Sequence, residues 1–183
     1  MDTNFRNAYM DLLKEYNALE DKWIMPDEKD DAMRTEESRS FALQMIDKMD
    51  HQIVDCPTEE TLRAVEQILG LQLSPQMEMF LLRYGSVSIG SFETIDLIAN
   101  DAEHSPMVEY TRRFRSINMR FPEFIVFHVP NEYDWFFCND KDTVFHCSFY
   151  TGKMESLHMD LLSYIADEGR KAQRRMKRRM SNG

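Results

Sequence analysis

Hydrophobic positions in this chain follow two different periods. Up to about Tyr84 the spacing is helical. Phe5, Tyr9, Leu12, Tyr16, Leu19 and Trp23 recur at 4-3-4-3-4, an a/d stripe nearly three heptads long. Such a stripe packs either on its own domain or on a partner or second copy. Pro26 ends that helix, and Asp27–Asp31 (DEKDD) reads as a solvated acidic loop. A second amphipathic helix is expected from about Thr35 to Val54, with Phe41, Met45, Met49 and Ile53 on one face and Cys56-Pro57 breaking it. Thr58 caps a third, in which Leu62, Val65, Ile68 and Leu69 face inward and Gly70 closes the helix. The fourth is the most sharply written, within Leu73–Gly90 (LSPQMEMFLLRYGSVSIG). Ser74 is a good N-cap, Pro75 fits the first turn, Met77, Phe80, Leu81 and Tyr84 share a face, and Gly85 ends it.

After Tyr84 the period shortens. Val87–Ile89 reads as a short strand and Phe92–Ala99 as a longer one. Ser105-Pro106 opens a helix to about Asn118. Three strands then follow in quick succession, at Phe124–Val129, Tyr133–Cys138 and Thr143–Tyr150, with gaps short enough for antiparallel hairpins. Thr151-Gly152 is a turn. A last helix is expected from Glu155 or Ser156, burying Leu157, Leu161, Tyr164 and Ile165 and running into the tail. Helices, strands, a helix, a meander and a helix make an α+β fold, with helices covering one face of an antiparallel sheet. FIVFHV and YDWFFC are apolar on both alternating faces, which predicts central strands covered on both sides.

With 183 residues and 43% hydrophobic content the chain can bury one substantial core. No apolar run approaches the roughly 20 residues of a membrane span, and the acidic N-terminus is unlike a signal peptide. These features predict a cytoplasmic protein with no membrane partner. Cys56, Cys138 and Cys147 are too few and scattered for a disulfide framework. The net charge of −10 is unevenly spread. Seven of the 22 basic residues lie in 170–179 (RKAQRRMKRR), so the remaining 15 face all 32 acidic ones, a balance of −17. An acidic body repels nucleic acid and speeds encounter with basic proteins. Nucleic acid is therefore not expected as a partner except through the basic tail 170–179.

Candidate chemistry is sparse. His128, Cys138, His146 and Cys147 lie on neighbouring strands, but adjacent residues such as His146 and Cys147 point to opposite faces, so the four read as core thiols and histidines rather than a zinc site. Neither thiol sits on a strained turn beside an orienting partner for His128, so no nucleophile–base pair is expected. Gly85–Gly90 lacks the Lys-Ser/Thr of a phosphate loop, and Asn139, Asp140 and Asp142 lack the glycine and distal glutamate of a calcium loop. Glu132 and Asp134 flank Tyr133, with Trp135 next. Carboxylates beside aromatic anchors suit a basic protein partner. Asp101 and Glu103, in the loop to His104, are a second acidic candidate.

The helix pair LRAVEQILGLQLSPQMEMFLLRYG, the strand SFETIDLIA, and the meander FIVFHVPNEYDWFFCNDKDTVFHCSFYTGKMESL leading to DLLSYI resemble the SUKH superfamily, the Smi/Knr-type fold, over roughly Thr58–Ala166. Asn131-Glu132-Tyr133-Asp134 stands where that family has a glycine-rich turn. The resemblance implies a binding fold rather than an enzyme. Its bacterial members are similar to immunity proteins that neutralise toxins, often nucleases; its fungal members act as scaffolds. The expected organisation is a helical extension (1–55), a SUKH-like domain (56–166) and a basic helix end or tail (167–183). The expected function is non-enzymatic occlusion of a basic, nuclease-type toxin by an acidic surface carrying Glu132, Tyr133, Asp134, Trp135, Asp101 and Glu103, with no cofactor or metal. The alternative is an intracellular scaffold or regulatory module that uses the N-terminal heptad helix either to form a homodimer or to hold a partner.

Overall fold

The computed structural model describes residues 36–49, 52–53, 56–98, 101–117 and 121–181. The stripe from Phe5 to Trp23 and the acidic loop Asp27–Asp31 lie outside the described residues. The described helices are α1 (Glu36–Lys48), α2 (Glu59–Leu69), α3 (Pro75–Tyr84), α4 (Pro106–Ile117) and α5 (Leu161–Ser181). The strands are β1 (Gln52–Ile53), β2 (Val87–Ile89), β3 (Phe92–Glu93), β4 (Ile125–His128), β5 (Asp134–Cys138), β6 (Thr143–Ser148) and β7 (Lys153–Asp160). The α+β class holds, but the strands divide into two antiparallel sheets, β1-β2-β3 and β4-β5-β6-β7.

Local signals place α2 and α3 where the sequence predicts them. Thr58 Oγ1 accepts the Thr61 N–H at 3.2 Å, and Gly70 closes α2 in the left-handed region at φ 62°. Ser74 Oγ accepts the Met77 N–H at 3.3 Å, and the Gly85 N–H donates to Leu81 O at 2.8 Å. Each such cap contributes about 1 kcal/mol.

The meander sheet carries a core on each face. One side joins the larger core, where Ile125, Phe127, Cys138 and Val144 meet Leu161, Leu162 and Ile165 of α5. The other side holds Phe124, Val126, Trp135, Phe137 and Cys147 against Tyr110 and Phe114 of α4. Helices therefore cover both faces of this sheet, not one. His146 and Cys147 do point to opposite faces, and β5 is an inner strand as expected. By contrast β4 is an edge strand. Its apolar character is explained by what caps that edge: Phe127 O accepts the Ile95 N–H at 2.7 Å, and Thr111 Oγ1 accepts the Val126 N–H at 3.1 Å.

Three expected elements differ from those observed. The helix expected to reach Val54 ends at Lys48, and Gln52–Ile53 pairs with Val87 and Ser88. The run Phe92–Ala99 is a strand only over Phe92–Glu93. Beyond it the backbone is satisfied piecemeal, by Thr94 N–H to Val87 O, Ile95 N–H to Phe127 O and Ile98 N–H to Ser105 Oγ, because the segment crosses between the two sheets. The last helix starts at Leu161 rather than Glu155, since Lys153–Asp160 is strand β7, paired with β6. Leu157 mimicked a helical period from a strand position.

At the β5–β6 turn a buried polar knot ties the layers. Asp142, left-handed at φ 62°, accepts the Gln76 N–H of α3 on Oδ1 at 2.9 Å, and its carbonyl accepts the Leu161 N–H at 3.0 Å. Gln76 Oε1 accepts the Leu162 N–H at 3.0 Å, and Asp160 Oδ1 caps α5 through Ser163 N–H at 2.9 Å. A carboxylate beside two helix N-termini also suits their dipoles.

Candidate binding face

The opposite end of the meander, formed by the β4–β5 and β6–β7 tips, is open. No glycine builds the first tip. Instead Asn131 Oδ1 accepts both the Tyr133 N–H (2.8 Å) and the Asp134 N–H (2.9 Å), an Asx turn. The tips are joined by the Phe149 N–H, which donates to Tyr133 O at 2.7 Å. Above that bond stand two tyrosines, Tyr133 at 49% and Tyr150 at 83% exposure. Their rings meet edge to face, centroids 6.3 Å apart.

Carboxylates adjoin this pair. Glu132 is exposed in the tip itself, so only Asp134 is a strand residue. Asp134 accepts from Asn131 Nδ2 at 3.1 Å and lies 2.9 Å from His146 Nε2. The Asn131 bond first, and then His146, holds the Asp134 carboxyl below the usual carboxylate range. Glu155 lies 3.5 Å from the other ring nitrogen of His146, whose ring stacks on Phe136. Asp134, His146 and Glu155 thus form one row across β5, β6 and β7.

Trp135 points the other way. It is 4% exposed and lies in the smaller core, edge to face with Tyr110 (5.2 Å) and Phe149 (5.1 Å), under the Arg113 guanidinium. It supports the tips from beneath rather than meeting a partner. Asp101 is exposed, but its carboxylate serves its own loop: it accepts the His104 N–H at 3.2 Å and lies 3.0 Å from His104 Nδ1. Those bonds lower the Asp101 carboxyl and raise the His104 imidazole. Glu103 is exposed, 4.0 Å from Arg112 Nη2. Sequence reasoning missed Tyr150 and Glu155. The signal for Tyr150 was an aromatic next to Thr151-Gly152, a turn that places it at a tip.

Cys138 and His128 are buried and not presented on this face. Burial raises the Cys138 thiol, which faces Ser74 Oγ at 3.7 Å. His128 is buried, hydrogen-bonded to Glu93 O and enclosed by Phe92, Phe136 and Tyr164. Among the described residues no group of three or more His, Cys, Asp and Glu can hold a metal ion, and no helix is long and apolar enough to cross a membrane.

Residues 40–168 match the model of the SUKH_5 family, described as SMI1-KNR4 cell-wall. The chain belongs to this family. No curated protein matches it. The SUKH_5 match takes in most of α1, all of α2–α4, every described strand and the first part of α5. Both tyrosines and their carboxylates lie within it; the basic segment 170–179 lies beyond it. Membership in SUKH_5 fits a protein-binding module of the immunity type at the level of the family.

Proposed function

We propose that this chain is a cytoplasmic immunity protein that binds a basic toxin, of nuclease type, one to one and occludes its nucleic-acid path. The reading is non-enzymatic: the chain contributes a surface and no bond-making group. The observation that carries it is the exposed Tyr133–Tyr150 pair set beside Glu132 and Asp134 on one ordered end of the meander. Tyrosines bury large area at low entropic cost and anchor interfaces. Carboxylates beside them pair with Lys and Arg of the partner, and the acidic body steers the encounter. Asp101 and Glu103 add to the acidic charge of the body.

The test is co-expression with a nuclease-type toxin whose gene adjoins this one; a gene neighbourhood without such a toxin would count against the reading. The unaltered chain should restore growth and bind the toxin, with association slowing at least tenfold as salt rises through the range where charges screen within about 10 Å. Y133A/Y150A should weaken binding by roughly 100-fold, the loss of two anchors of 1–2 kcal/mol each. Full protection by that double variant would end the assignment of this face. An association rate indifferent to salt would end the steering argument.

A further inference from the structure

Helix α5 continues beyond residue 168, where the family match stops, to Ser181. The extension is seated on the domain rather than hanging from it. Gly169 packs so closely that a Cβ there would lie 2.6 Å from Met49 Sδ and 2.8 Å from Ile89 Cδ1. Gly90 receives Met176, whose Sδ would lie 2.6 Å from a Cβ at that glycine. Ala172 and Gln173 are buried between these contacts. The segment RKAQRRMKRR is therefore held as a helix in a fixed orientation.

That orientation sorts the charges. Lys171, Arg174, Arg175, Arg178 and Arg179 recur at i, i+3, i+4, i+7 and i+8, so they share one face, and all five are exposed. Gly169, Ala172, Gln173 and Met176 form the opposite, seated face. Lys171 is held by Asp167 and Glu168 at 2.8 and 2.7 Å, and Arg170 by Asp167 at 2.7 Å. Arg175, Arg178 and Arg179 form no ion pair with a described residue.

We propose that this face docks the phosphate backbone of a nucleic-acid duplex, through charge and without reading bases. Guanidinium forks match phosphate oxygens in pairs. The stripe is about 12 Å long at 1.5 Å per residue, enough to follow several phosphates. Residues 170–181 include no aromatic side chain for stacking on bases. A bilayer fits poorly, because Gly169, Ala172 and Met176 on the apolar side of the helix are seated on Met49, Ile89 and Gly90, which leaves Met180 as the one exposed apolar side chain of the described extension to enter lipid. The acidic body confines a duplex to this helix by repelling it elsewhere. The inference uses other residues than the tyrosine face and does not depend on the toxin reading.

The experiment titrates the full chain into a fluorescein-labelled DNA duplex of about 20 bp and follows anisotropy from about 25 to 150 mM salt. Saturable, salt-sensitive binding is expected. R175Q/R178Q/R179Q should weaken it at least tenfold at about 50 mM salt and reduce the log–log salt slope by about 2–3, given roughly 0.9 per neutralised phosphate. The three side chains are exposed, so the melting temperature should not move. Y133A/Y150A should leave duplex affinity unchanged. No binding at the lowest salt, or equal binding by the triple variant, would overturn the proposal. So would tighter binding to phosphatidylserine vesicles or to a polyglutamate peptide than to the duplex.

Discussion

The two ends of the meander are built from the same strands and treat polar groups in opposite ways. At the β5–β6 turn, Asp142 is buried and its side chain and carbonyl reach the first turns of α3 and α5. At the β4–β5 and β6–β7 tips, Asn131 folds the backbone upon itself, and the tyrosines and carboxylates are left to solvent. One end closes most of its polar groups, several of them with a partner from another layer, and leaves Gln76 Nε2 buried without one among the described residues. The other folds on Asn131, is tied across strands by Phe149 N–H to Tyr133 O and by His146 to Asp134, and leaves both tyrosines exposed. Charge at the first end is a folding device; charge at the second is left at the surface, where the proposed partner would meet it.

The strongest attack on this contrast is Asp142→Ala. It removes the acceptor for Gln76 N–H and puts a Cβ residue without a capping group at positive φ. The cost should be about 2–4 kcal/mol, a melting temperature lower by roughly 5–15 °C. Asp142→Asn, which keeps an oxygen acceptor and tolerates the left-handed region, should recover most of that loss. Y133A/Y150A should do the reverse: a large loss of partner affinity and a change of about 0.5 kcal/mol or less in stability. Equal loss of stability from both variants would erase the distinction between the ends.

A subtler measurement probes what lies beneath the open end. His128 closes β4, and burial lowers its pKa, only partly opposed by its bond to Glu93 O. The unfolded chain takes up a proton near pH 6.5 that the folded chain refuses. Stability is therefore fully present above that pH and falls as acid is added. Urea melts of His128→Gln should lack this component, flattening the acid-side slope by up to about 1.4 kcal/mol per pH unit. An unchanged slope would mean that this imidazole protonates freely in the fold. The smallest effect is expected from Asp134→Asn. Asp134 is partly exposed, so its row with His146 and Glu155 should contribute about 1 kcal/mol or less. Because its folded pKa is depressed, that contribution exists above the ordinary carboxylate value and disappears as pH falls through the lowered one. Partner binding should weaken by under tenfold.

What could be read in advance was whatever a few neighbouring residues decide. Ser74, Pro75 and Gly85 frame α3 by themselves, and Thr58 and Gly70 do the same for α2. β7 was hidden because Leu157, Leu161, Tyr164 and Ile165 fit a helix as well as a strand followed by one; the pairing of Lys153–Asp160 with β6 decides the matter at long range. The edge position of β4 was hidden for a similar reason. A strand capped by Thr111 and the Ile95 amide reads as apolar as an inner one. At the candidate face, Tyr133 and Asp134 are legible as a turn with an acid. Trp135 is settled by pleat alone, since the alternation that turns Asp134 toward His146 turns its neighbour into the smaller core. Tyr150 needed the second tip to be brought beside the first.

The hydrogen bond from the Phe149 amide to Tyr133 O carries the β5–β6 ladder into the two tips and makes them one crossbar. Whatever lands on the tyrosines meets loops whose motion was already restricted when the sheet formed, so little further ordering accompanies the landing. The Phe149 amide proton is consequently a natural gauge: its exchange with solvent should slow when the crossbar is engaged and quicken when the tips part.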